Sequence, residues 1–273
     1  ARRVEPGKSC VWTAGDIGRD DHGSRDGTSG LAEIGGCRNL ALGVQGALSL
    51  GRANSRQNLV FNGRSDVRAT YGMAEFLAHV PGTNLWPSVC LLYQLGAADA
   101  RRGYLNAGAQ DYSSGRLGVE TTALRARVDW DNAARVGSTT ISAYADASIA
   151  HTRIDGYTET GGGFPARFDA RTEKATELRL GMDAAHPRSS NTQLLGRLEA
   201  AHRFEKNTAS SSGQVLGLFS FALPGQQNKG DWLRVGVGME TKFSGAIVSA
   251  MLNATSQGTV SSYWLNLSYQ ATF

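Results

Sequence analysis

Tyr263-Trp264-Leu265-Asn266-Leu267-Ser268-Tyr269-Gln270-Ala271-Thr272-Phe273 is the stretch on which the fold turns. Its odd positions are apolar or aromatic, with Ala271 the only small one, and its even positions are polar except Trp264. A period of two with one greasy and one wet face is a half-buried strand, not a helix. Working outward, the same alternation runs through Ala246, Val248, Ala250, Leu252 and Ala254, and through Leu233, Val235, Val237, Met239 and Phe243. It recurs at Leu194–Phe204, Leu178–Ala184 and Leu124–Trp130. A helix would spread the intervening charges around its whole axis. Strands are expected near 9–20, 28–38, 41–53, 65–79, 85–97, 119–131, 138–154, 172–185, 191–205, 231–243, 245–256 and 261–273, about twelve in all.

Composition agrees. Glycine at 34 against 6 prolines, with 41% hydrophobic and 19% charged residues, suits strands and excludes both disorder and a coiled coil. The longest nearly uncharged stretch, Leu85–Ala98, falls short of the ~20 residues of a spanning helix. No apolar run follows Ala1-Arg2-Arg3-Val4-Glu5, so no signal peptide is read there. The net charge of +4 comes from scattered Lys and Arg without an aromatic-studded basic stripe, which argues against nucleic acid. No composition shift divides the chain, so one domain is expected.

Short connections, at Asn39-Leu40, Pro81–Asn84, Asn132–Gly137, His186–Ser190 and Ser244, alternate with long ones. The long ones are 21–27, 53–65, 98–117, 155–170 and 206–229. That rhythm belongs to an antiparallel up-and-down barrel. The wet face carries Arg125, Arg127, Asp129, Glu177, Arg179, Asp183, Arg197, Glu199, Arg203, Arg234, Glu240 and Lys242. Twelve strands enclose more space than side chains fill, so these charges are assigned to a hydrated lumen and the greasy face to lipid. Trp86, Trp130, Phe243, Tyr263 and Phe273, near strand ends, are assigned to aromatic girdles. The fold class is therefore all-β, a transmembrane antiparallel barrel of the outer-membrane type, placing the chain in the bacterial outer membrane.

The residues also resemble a known family. Ser268-Tyr269-Gln270-Ala271-Thr272-Phe273 is similar to the terminal strand of outer-membrane proteins, read for assembly through Tyr269, Ala271 and Phe273. Gly43–Gly51, Leu124–Trp130, Glu177–Gly181 and Arg234–Gly238, in that order, resemble the translocator (β) domain of a type Va autotransporter. Within that family the likeness is to barrels carrying esterase or serine-protease passengers. The resemblance implies a type V secretion barrel that anchors and exports an N-terminal passenger over a helical linker in its pore. It also implies insertion by the outer-membrane assembly machinery with periplasmic chaperones, a monomer in lipid, and neither cofactor nor metal. Residues 1–8 cannot cross ~30 Å as helix, and Pro6-Gly7 reads as a helix stop. They are expected to be a linker remnant, with 9–273 the barrel. A solute-conducting porin is the alternative function.

Other motifs carry bland readings. Asp20-Asp21-His22 with Asp26 reads as a solvated turn rather than a metal or acid–base cluster, and no facing acidic pair completes a rim protease. His151 and His202 share the greasy parity but lack a Ser–Asn partner motif for a lipase. Gly161-Gly162-Gly163 lacks the GK[ST] of a phosphate loop. A first hairpin turning near Gly23-Ser24 sets Cys10 opposite Cys37, a disulfide candidate in an oxidising compartment. Cys90 is left as a small hydrophobe, buried or facing lipid.

Overall fold

The computed structural model describes residues 3–22, 25–41, 43–258 and 261–273. The described residues hold sixteen strands and no helix. Twelve form a closed antiparallel barrel. In chain order they are β1 (Ser9–His22), β2 (Arg25–Ala41), β3 (Val44–Leu59), β4 (Gly63–Ala78), β5 (Leu85–Asn106), β6 (Ala109–Val136) and β7 (Thr139–Ile154). After β8 (Tyr157–Thr158) and β9 (Ala166–Phe168) come β10 (Arg171–Pro187) and β11 (Thr192–Arg203). Then β12 (Ser211–Val215) and β13 (Phe219–Leu223) precede β14 (Asp231–Phe243), β15 (Ala246–Thr255) and β16 (Tyr263–Thr272). Each barrel strand pairs with its chain neighbours, and β16 closes on β1 from Cys10↔Thr272 to Arg19↔Tyr263.

The greasy parity faces outward. Leu48 is 70% exposed, Ile17 74% and Val237 66%, values a soluble core would forbid. With every barrel strand paired on both sides, the barrel leaves no backbone edge open, which is what a lipid-embedded sheet requires.

Three connections read as loops are largely strand among the described residues. A strand needs about 9–11 residues to cross a bilayer, yet β5 has 22 and β6 has 28. Past Leu50 the outward residues of β3 become Arg52, Asn54, Arg56 and Asn58, and the ladder simply continues into water. The hairpins β3–β4 and β5–β6 close at residues 60–62 and 107–108, where Phe61, Asn62, Ala107 and Gly108 take positive φ. The turn placed at Gly23-Ser24 lies outside the described residues. The other long connections supply a second sheet in the order β13-β12-β9-β8. It is packed by Tyr157 stacked on Phe168 at 4.9 Å and Phe221 edge-on to Phe168 at 5.4 Å. It is tied to the β5–β6 hairpin by the buried Glu159, which accepts from Arg102 at 2.6 Å and from the Ala166 amide at 3.0 Å. Gly161-Gly162-Gly163 lies in this cap, where Ser113 donates to the Gly161 carbonyl at 2.8 Å.

The end of the barrel with short turns is the periplasmic one, and the end with long hairpins the extracellular one. At the periplasmic end Cys10 and Cys37 are direct register partners with Cα atoms 4.9 Å apart, joined as a disulfide. They form a buried cluster with Trp12. Closing this 27-residue separation should stabilise the barrel by about 2–4 kcal/mol, mainly by restricting the unfolded chain. Maleimide labelling of denatured, unreduced protein is expected to modify Cys90 alone. Three labelled thiols would refute the crosslink.

Candidate functional site

The wet parity lines the lumen, and the register arranges its charges in rows. Arg127, Asp146 and Arg179 are cross-strand partners on β6, β7 and β10. The next row holds Asp129, Tyr144, Gly181, Glu199 and Arg234. Beyond it Asp183 faces Arg197. Arg197 is bidentate on Asp183 at 2.6 and 2.8 Å, and Arg127 reaches Asp129 at 2.6 Å. Arg125 binds the buried Asp146, and Arg179 binds Glu177 at 2.5 Å. Arg234 donates to Asn253 at 2.8 Å and lies 3.9 Å from Glu199. Paired charges around a wet channel keep its wall hydrated without a strong field of one sign.

The remaining residues assigned to the lining lie toward the ends. Arg203 bonds the Lys174 carbonyl at 2.8 Å near the extracellular rim. Glu240 accepts from Gln193 at 2.8 Å, and Lys242 is exposed beside the periplasmic turn at Ser244-Gly245. Asp20 is buried and accepts from Gln57 at 2.7 Å, whereas Asp21 and Asp26 point outward. The acidic run thus diverges rather than forming one site. His202 meets Asp231 at 2.7 Å on the outer face, and His151 is exposed there too. Cys90 is buried on the lumen parity, opposite Glu75 and Arg125.

Trp86 corrects an expectation. Counted from the outward Val89 and Leu91 it has the inward parity, so it belongs to the mouth of the pore and not to a lipid girdle. There it meets the N-terminal segment. The Arg3 guanidinium sits 4.7 Å over the Trp86 ring, 3.7 Å from Asp129, and in contact with Asp131. The Val4 amide donates to Gln45 at 3.0 Å, and the Val4 side chain packs on the Cys10–Trp12–Cys37 cluster. The chain ahead of β1 therefore enters the lumen at its periplasmic end.

Sequence reading alone also missed the opposite wall. There Glu33 accepts from Trp12 at 2.8 Å and Tyr71 at 3.0 Å. Below the rim the β1–β5 half presents Asp16, Glu33 and Glu75 and, among the described residues, no Lys or Arg. The missed aromatics have a signal: each lies over a glycine directly across the ladder. A Cβ at Gly51 would meet the Tyr71 ring at 2.2 Å, at Gly181 the Tyr144 ring at 2.2 Å, and at Gly35 the Trp12 ring at 2.2 Å. Glycine on the wet parity in mid-strand is what such a flat-lying ring needs. An open lumen cavity of about 640 Å³ reaches into these rows, lined by Asp16, Gln94, Glu199, Arg234, Asn253 and Trp264 among others.

A closed twelve-strand barrel with its greasy face out, a charged lumen and its N-terminal segment inside that lumen narrows the comparison. The family model of the autotransporter beta-domain matches residues 11–255. The chain belongs to that family. The translocator domain of the autotransporter NalP from Neisseria meningitidis has the same fold, with a TM-score of 0.75 at 14% identity over 99% of this chain and 90% of that one. The beta domain of the Bordetella autotransporter BrkA gives 0.64 at 16% identity, over 98% of this chain and 100% of that one. A toluene transporter of Ralstonia pickettii, TbuX, gives 0.58 at 10% identity, over 99% and 90%. At such identities these likenesses show the fold, and the family model carries membership. None of the curated proteins matches this chain. As an autotransporter β-domain it is an outer-membrane translocator, and the barrel is not itself catalytic.

Proposed function

We propose that this β-domain exports an N-terminal passenger through its lumen along a linker of which residues 1–8 are the last part, with 9–273 the barrel. The observation that carries the reading is the seat of Arg3 inside the periplasmic mouth, among Asp129, Asp131 and Trp86. A chain held there is aimed along the pore, and a cation suits a lumen with an acidic half. The paired charges of β6–β14 give that linker a hydrated wall to slide past. An esterase or serine-protease passenger is supported by the sequence resemblance. The same reading takes Tyr269, Ala271 and Phe273 as the signal presented to the assembly machinery and its chaperones, with the barrel working as a monomer in lipid.

Conductance tests it. In planar bilayers the chain of residues 1–273 is expected to conduct, with cations favoured over anions because of Glu33 and Glu75. Adding the upstream linker should lower conductance several-fold. Equal conductance with and without it would favour a solute channel.

A further inference from the structure

The outer wall is not uniform around the barrel. Just above the greasy band, β3–β6 present Arg52, Arg56, Arg64, Arg68, Arg101 and Arg116 outward. The register sets Arg56, Asp66, Asp99 and Arg116 in one row and Arg64 beside Arg101. Asp66 is bound by Arg56 at 2.9 Å and by Arg64, while Asp99 lies 3.9 Å from both Arg68 and Arg116. Glu120 shares the row of Arg52, accepts from the Tyr93 hydroxyl at 3.1 Å, and stands opposite Arg153 on β7. Asp66, Asp99 and Glu120 are thus three carboxylates among six guanidinium groups. Arg68 and Arg116 are 70% and 75% exposed.

Directly below, β2–β5 enclose an apolar groove of about 600 Å³ on the outer face. Its floor is Gly72 and Ala74 on β4, and its walls are Leu48 and Leu50 on β3 and Leu91 and Tyr93 on β5. The floor is open: a Cβ on Gly72 would meet only Leu50 at 3.6 Å and the Ser49 carbonyl at 4.0 Å. One step up the ladder from Leu50, Gly72 and Tyr93 stand Arg52, Thr70 and Leu95. The groove therefore runs into the arginine patch.

We propose that this wall is a docking site for a phosphorylated lipid of the outer leaflet, an acyl chain lying in the groove and the phosphorylated headgroup spread over the patch that holds Arg52, Arg68 and Arg116. An apolar trough capped by excess positive charge at the membrane surface complements an amphiphile with an anionic head. All six cations are arginine, whose planar fork matches phosphate oxygens in pairs. The inference rests on the outer-membrane placement of the barrel and is independent of what passes through its lumen.

Native mass spectrometry of the refolded chain tests it, with lipid A and its dephosphorylated form as probes. Heat-modifiable gel migration establishes that each variant is folded. Wild type should retain lipid A about tenfold better than the dephosphorylated form. R52Q/R68Q/R116Q should abolish that preference. G72L should weaken both lipids, while R153Q/K174Q, on the neighbouring wall, should change neither. Equal retention of the two lipids by wild type, or an undiminished preference in the triple variant, would overturn the proposal. Loss of the preference with inorganic phosphate, together with a neutral G72L, would mark a free-phosphate site and also overturn it.

Discussion

Phe273→Ala is expected to lower insertion into the outer membrane of cells by about tenfold, while refolding into detergent stays within about twofold. The ring is 66% exposed on the lipid-facing parity, so its loss removes little packing within the barrel. Buried fully in lipid it would contribute about 1.5–3 kcal/mol, a loss that would fall on both measurements. An assembly signal differs, because its loss is felt only where the machinery reads it. Alanine is the better probe than deletion. The Phe273 backbone exchanges two hydrogen bonds with Ser9, at 2.9 and 3.0 Å, across the β16–β1 seam. Removing the residue would cost those bonds as well, about 0.5–1.5 kcal/mol each. Equal damage in cells and in detergent would make Phe273 a packing residue. Normal insertion in cells would remove its role as a signal.

Gly181→Leu is expected to destabilise the barrel by about 1–3 kcal/mol, read as a lower midpoint of urea unfolding in detergent. The Tyr144 ring occupies the space of the missing side chain, and its hydroxyl donates to Glu199 at 2.5 Å. Lifting the ring would break that bond and disturb Arg127, whose guanidinium stacks 3.8 Å above it. The loss should shrink when Tyr144 is already alanine, since the clash is then absent. A Gly181→Leu penalty of the same size in both backgrounds would show that the ring is not what requires the glycine.

The legible part of the structure was whatever depends on alternation. Parity from Tyr263 to Phe273, repeated along the chain, separates a greasy face from a charged one, and twelve strands, too many for side chains to fill the interior, put the greasy face outward. A count of residues about one turn is enough to bring Cys10 opposite Cys37. Parity gives a face but not a partner. Which carboxylate meets which guanidinium follows from inter-strand register, so Asp146 and Glu33 were passed over. Trp86 failed for a related reason: it precedes Pro87 at the strand start, where few alternating residues are available to fix its side. The hairpin extensions read as loops in sequence because beyond the lipid band both faces are wet, and the contrast that marks a strand fades. The cap sheet is built from strands of two to five residues, too short to show a period.

Export through this lumen is tested most directly by surface exposure of an upstream reporter. A small tagged domain joined through the native linker ahead of residue 3 would be produced in cells, and protease added to the intact cells. Digestion of the reporter, with the heat-modifiable barrel left whole in the outer membrane, is the expected result. A reporter protected in intact cells and cut only after the outer membrane is opened, with the barrel correctly inserted, would contradict it.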